Sequence, residues 1–341
     1  MLGRLDWSAF DDRRPSAGGT AVAVVVHGEV VASRQWGTVG PGGGAFTADT
    51  VVYAASVAKQ FTGACIAELI LTGRLSLDTM IRQLVPALPS SMAGITIDHL
   101  VSHTSGLPDS NRLDVATGFA ADHPMSNSDR IRALDDVRLD AAPGTQHRYS
   151  NYGYVLLAEA ARTVASQSFG ELARQTLLDP AGMHASDFLD VDHPTATPGW
   201  SDGRRVDIRF TSVGDGGLVT TLSDLVAWNS WLPSTPLGEL VLGERPTLPD
   251  GTVAHDAWGI SIRPHHGLRI ESHGGAFAGY LVSFVRFPSH DCAFIAVTND
   301  DHLGPQDFNR RLRLLANSGL ARHLDHSQPA WTDSHGLSVP T

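Results

Sequence analysis

Thr50-Val51-Val52-Tyr53-Ala54-Ala55-Ser56-Val57-Ala58-Lys59-Gln60-Phe61 changes periodicity part-way through, and that change decides the fold. Thr50 to Tyr53 is a β-branched and aromatic run, the pattern of a strand. Beyond Ser56 the spacing of Phe61, Ala64, Cys65, Glu68 and Leu69 is helical. Ser56 therefore sits at a strand-to-helix junction, where free backbone N–H groups and the helix dipole favour developing negative charge. A serine there is also an ordinary helix N-cap. A cap explains the serine and leaves Lys59 unexplained. Lys59 is the one lysine of the chain: 25 Lys plus Arg less this one leaves 24 arginines. A position closed to arginine is one where the residue must lose its proton, since a buried amine can be neutral near pH 7 and guanidinium cannot. Lysine one helical turn after serine has the form of a general base beside a nucleophile. A coding bias that left one lysine by accident accounts for the same count, so the decision rests on the rest of the chain.

Outward from this stretch, residues 20 to 37 read as a β-hairpin turning at His27-Gly28, followed by a loop at Gly40-Pro41-Gly42-Gly43-Gly44. Helical patterns dominate from 96 to about 200, with elements expected at 98–103, 151–164 and 169–178. Strands return at 258–263, 268–272, 280–287 and 292–298, spaced as an antiparallel meander. Residues 307 to 322 read as an amphipathic helix with Phe308, Leu312, Leu315 and Leu320 on its apolar face. The expected architecture is mixed α/β. Residues 1–95 and 205–323 form a sheet lobe from both chain ends, 96–204 a helical lobe, and 324–341 a polar tail.

At 341 residues with 42% hydrophobic and 18% charged content, the chain is an ordinary globular protein with room for a large core. A net charge of −11 without a Lys/Arg run argues against a nucleic-acid partner. Cys65 and Cys292 read as buried free thiols, and the 16 scattered histidines match no metal-ligand spacing. No signal peptide or membrane-length apolar run is visible, which gives a cytoplasmic expectation; a leader removed beforehand would leave the same picture.

Three motifs stand in order: Ser56-Val57-Ala58-Lys59, Tyr149-Ser150-Asn151 and His273-Gly274-Gly275. With them the sequence resembles the serine β-lactamase and penicillin-binding-protein superfamily. The resemblance is to its class C-like branch of β-lactamases, D-aminopeptidases, alkaline D-peptidases and family VIII carboxylesterases. Supporting stretches are Leu100-Val101-Ser102-His103-Thr104-Ser105-Gly106-Leu107, Leu178-Asp179-Pro180-Ala181-Gly182-Met183 and Gly214-Asp215-Gly216-Gly217-Leu218-Val219-Thr220-Thr221, all read as scaffold, His103 included. The resemblance implies a β-lactamase-like fold, an antiparallel sheet flanked by helices with an inserted all-helical lobe. It also implies an acyl-enzyme on Ser56, with Lys59 as base and no metal or cofactor. Tyr149 would be a second proton carrier, its phenol brought near ionisation by flanking cations, and Asn151 would hold Lys59 and the substrate amide. His273-Gly274-Gly275 would open the site's edge strand, with the backbone N–H groups of Ser56 and Ala276 as oxyanion hole. Tyr152 and Tyr154 read as packing. The β-lactamase pattern has lysine where this chain has His273, which disfavours a carboxylate-bearing β-lactam. The function expected is hydrolysis of a small-molecule amide, peptide or ester, with a D-amino-acid peptide or small ester favoured. An acyltransferase using the same residues, and a non-catalytic peptide-binding or scaffold descendant, are the alternatives. Oligomeric state is open.

Overall fold

The structure is a computed structural model that describes residues 2–10, 16–325 and 327. Its main sheet holds β1 (Gly19–Val26), β2 (Glu29–Gly37), β3 (Asp256–Ala257), β4 (Ile260–His265), β5 (Leu268–Phe277), β6 (Tyr280–Phe287) and β7 (Cys292–Thr298). Their spatial order is β2-β1-β7-β6-β5-β4-β3, and every pair is antiparallel. The pairing of β1 with β7, from Thr20↔Thr298 to Val26↔Cys292, joins the two ends of the chain in one sheet. This is the mixed α/β class with an antiparallel sheet expected from the sequence. A smaller sheet places Leu218–Thr220 between Val52–Tyr53 and Asp187–Phe188.

Between and after these strands run helices α1 (Ala58–Leu71), α2 (Ile97–Val101), α3 (Ser110–Thr117), α4 (Asn127–Arg132), α5 (Asn151–Ala165), α6 (Leu222–Trp231) and α7 (Gly304–Leu320). Two cores explain why β1 is apolar throughout rather than alternating. Ala21, Ala23 and Val25 face the larger core with α1 and α5, and Val22 and Val24 face the smaller one under α7. The anticipated face of α7, Phe308, Leu312, Leu315 and Leu320, closes that smaller core. Helix α1 is buried almost all round, so it has no polar stripe and its lysine lies in the protein interior.

Several boundaries move. The strand expected from Trp258 begins at Ile260, because Trp258 and Gly259 have φ +60° and +72° and form the turn between β3 and β4. A Cβ at Gly259 would lie 2.1 Å from the Lys59 carbonyl carbon, so this turn packs directly on the α1 backbone. The helix expected over 98–103 spans Ile97–Val101. The strand expected to end at Ser272 continues to Phe277, which places His273-Gly274-Gly275 inside β5. Apart from Leu324, Asp325 and Ser327, the expected tail lies outside the described residues. Among the described residues no helix is long and apolar enough to cross a membrane.

Candidate active site

Strand Val52–Tyr53 leads through Ala54 into a 3-10 turn at Ala55–Val57, which runs straight into α1. The N-cap of α1 is Val57, and no side chain caps it. Ser56 is thus not a capping serine, and its hydroxyl is available for other work. Ala55 holds φ +46°, a left-handed conformation that costs a non-glycine residue ~1–2 kcal/mol. The turn keeps that shape because it is tied down on both sides. Ala54 N–H donates to the Leu218 carbonyl at 2.9 Å, and Gly217 N–H donates to the Tyr53 hydroxyl at 3.1 Å. From Val52 to Gln60 every residue is buried except Ser56, which reaches the surface.

Lys59 is fully buried and places its Nζ 3.2 Å from Ser56 Oγ and 2.6 Å from the Asp215 carbonyl oxygen. Burial pushes its pKa from an ordinary 10.5 down to about 7. The Asp215 carboxylate opposes that shift, Arg130 reinforces it, and Asp114 opposes it. The amine therefore loses its proton near neutrality, the property that separates lysine from arginine.

Tyr149 lies over the same amine, its ring centroid 5.0 Å from Lys59 Nζ and 6.2 Å from the His273 ring. The expectation of a nearly ionised phenol is overturned. Burial drives its pKa well above the ordinary value; the Ser56 side chain favours ionisation, but Asp215 opposes it. A half-neutral lysine and a nearby carboxylate do not supply the flanking positive charge that a phenolate needs.

His273, Gly274, Gly275 and Ala276 occupy the second half of β5. Strand β4 pairs only with Leu268 to Ser272, so from His273 onward β5 has no strand partner on that side among the described residues. The Ala55–Val57 turn and Ala54 before it pack there instead: a Cβ at Gly275 would fall 2.3 Å from the Ala54 carbonyl oxygen. The open edge arises in mid-sheet from the early end of β4 rather than from an outer strand.

The Beta-lactamase family model matches residues 9–318. The chain belongs to the Beta-lactamase family. A D-aminopeptidase of Cereibacter sphaeroides is 26% identical over 335 residues, covering 93% of this chain and 62% of that protein. One of Gluconobacter oxydans is 28% identical over 309 residues, 86% of this chain and 57% of its own length. The chain thus spans about three-fifths of the length of these curated relatives. Among solved structures, the D-amino acid amidase of Ochrobactrum anthropi SV3 complexed with D-phenylalanine superposes with a TM-score of 0.75. It is 19% identical and covers 92% of this chain and 98% of that one, a likeness of fold.

Within this Beta-lactamase family site, Asn151 departs from the role that the resemblance implied. Lys59 is held by Asp215, not by Asn151. The Asn151 backbone N–H donates to Ser110 Oγ at 2.8 Å, while its side-chain oxygen is buried with no hydrogen-bond partner among the described residues. Tyr152 and Tyr154 are fully buried as expected; Tyr154 donates to the Val101 carbonyl at 3.0 Å, and Tyr152 lies under the Arg130 guanidinium at 4.5 Å.

Sequence reading missed the charged layer beneath the lysine. Arg130, 1% exposed, pairs with Asp215 at 2.7 Å and with Asp114 at 3.4 Å. Burial pulls the Arg130 pKa down, but the two carboxylates outweigh it and hold the guanidinium charged. Burial raises Asp114 to about 6 in spite of Arg130. Asp215 stands in the quoted Gly214-Asp215-Gly216-Gly217 stretch, where glycines at φ +112° and +88° bend the chain around α1. That acidic residue among glycines was the available signal. Arg130 and Asp114 gave none.

Proposed function

We propose that this chain is a serine hydrolase that forms an acyl-enzyme on Ser56 and cleaves a small amide or ester. A D-amino-acid peptide or amide is favoured over a β-lactam. The observation that carries the reading is the Lys59 amine, brought to about 7 by burial and held 3.2 Å from Ser56, the one residue of its stretch that reaches the surface. Lys59 takes the Ser56 proton as Oγ bonds to the substrate carbonyl carbon. The backbone N–H groups of Ser56 and Ala276 receive the oxyanion. Tyr149, neutral, gives its proton to the leaving nitrogen or oxygen as that bond breaks, and recovers one from the Lys59 ammonium. Water then attacks the acyl carbon, with Lys59 again as base. Asn151 is assigned the substrate amide by the family resemblance alone.

His273 bears on the substrate. Its Nδ1 lies 2.7 Å from the Gly274 carbonyl, which can only accept, so Nδ1 carries a proton, and whenever the ring is neutral its Nε2 is an acceptor. An acceptor suits a substrate N–H or ammonium and disfavours the carboxylate of a β-lactam. The relatives named D-aminopeptidase support the same direction.

The test is a panel of p-nitroanilides and p-nitrophenyl esters of D- and L-amino acids, with intact-mass tracking of Ser56 acylation. D-Amino-acyl substrates should acylate Ser56 and be released by water. Added amines or alcohols that capture most of the acyl group would indicate a transferase. A folded protein with no adduct on any substrate would refute the mechanism.

A further inference from the structure

We infer that His103 is a positioning residue for the proton carrier Tyr149. The inference rests on the reading of Tyr149 given above and assigns to the His-Thr-Ser-Gly turn a task beyond scaffold. Helix α2 ends in a Schellman motif, with His103 N–H donating to the Leu100 carbonyl and Thr104 N–H to the His99 carbonyl at 2.8 Å. His103 is the left-handed residue of that motif, at φ +56°, a place that glycine fills at least strain. A β-carbon bearing a ring at such a place calls for something the ring does.

Three contacts answer. The imidazole is 1% exposed and sandwiched between Tyr149, at 4.6 Å and 26°, and Tyr154, at 4.8 Å and 28°. Its Nδ1 lies 3.1 Å from the backbone N–H of Ser150 and accepts from it. Its backbone carbonyl accepts from Arg148 N–H at 2.8 Å. The residues on either side of Tyr149 are therefore both tied to His103, and the face of Tyr149 rests on its ring. Tyr149 precedes α5 and belongs to no helix or strand, so regular structure does not hold it. An accepting Nδ1 also requires a ring without a proton there, and burial, reinforced by His147, keeps the His103 pKa well below its ordinary value.

Tyr149 on this reading matters for the leaving group. A poor leaving group such as an anilide needs its proton, whereas p-nitrophenolate departs without one. Tyr149→Phe should thus lower kcat on a p-nitroanilide by ~10²–10⁴-fold and on the matching p-nitrophenyl ester far less. His103→Phe keeps a stacking ring but removes the acceptor for Ser150 N–H. It should lower anilide kcat by ~10–100-fold with KM little changed, again sparing the ester. Added to Tyr149→Phe, it should cause no further anilide loss. His103→Asn tolerates the left-handed backbone and sets its Oδ1 near the Nδ1 position, so it should restore part of the loss. Equal losses on anilide and ester in folded His103→Phe and His103→Asn, or no loss in either, would overturn the inference while leaving Tyr149 its role. An anilide and an ester equally sensitive to Tyr149→Phe would instead remove the reading on which it rests.

Discussion

Replacing Lys59 by methionine should abolish acylation and at the same time stabilise the fold. Methionine matches the length of the apolar stem and removes the buried amine. Moving the ammonium from an ordinary 10.5 down to about 7 corresponds to ~5 kcal/mol of folding free energy, at ~1.36 kcal/mol per pKa unit. The substitution also leaves the Asp215 carbonyl without its 2.6 Å donor, a cost of ~1–3 kcal/mol. A net gain of ~2–4 kcal/mol remains. With an unfolding entropy of ~2.1 cal/mol/K per residue, that raises Tm by ~3–6 °C for a chain of this size. The pH dependence is the sharper test. Between pH 7 and 10.5 the unfolded chain holds a proton on Lys59 that the folded one has released, so the wild type gains stability as pH rises through that window. Below about 7 both states are protonated and the advantage of Lys59→Met is at its full value. By pH 9 ~3 kcal/mol of it is gone and the two melts should coincide. Thermal melts of both proteins from pH 6 to 9.5, with intact-mass assays for the acyl-enzyme, measure this. A Tm difference that is flat across the range would mean that the amine is not held near neutrality, and the general-base argument would fall with it.

Lys59→Arg should keep the charge and lose ~10²–10⁴-fold in kcat, because guanidinium cannot give up its proton; a melt checks that the larger group has not unfolded the site. In the wild type, kcat/KM for an anilide should rise with pH through about 7 and then level off, following the neutral fraction of Lys59. Gly275→Ala should remove activity, since its Cβ would meet the Ala54 carbonyl at 2.3 Å, whereas Gly274→Ala meets only the Asn309 side chain at 3.1 Å and should retain most of it. His273→Lys should improve binding of carboxylate-bearing ligands such as penicillins, read as faster Ser56 acylation by them; unchanged acylation would remove His273 as the discriminating residue.

The boundaries that moved have physical causes that recur around the site. Trp258 looked like strand because it is large and apolar, but its φ of +60° serves a turn pressed onto α1. Ser56 could be read as a cap from its place before a helix, and only the backbone geometry assigns the cap to Val57. The phenol of Tyr149 was expected near ionisation from the motif, yet burial, a property of everything packed around it, keeps it protonated.

Local and periodic features were legible in the chain before any coordinates. The strand-to-helix switch at Ser56, the apolar β1 run, the α7 stripe and the uniqueness of Lys59 all follow from spacing and composition, because side-chain period and helical rise are short-range properties of a polypeptide. Three motifs in order were enough to indicate the family. The groups that lie across space from those motifs became visible only in the folded chain. Arg130, Asp114 and the Asp215 carbonyl reach the lysine from separate segments, His103 comes to Tyr149 from the end of α2, and β4 stops short to leave β5 open. Burial and Coulomb interactions depend on the distance between side chains and not on their separation along the chain, so the proton affinities of Lys59 and Tyr149 exist only once the fold has brought these groups together.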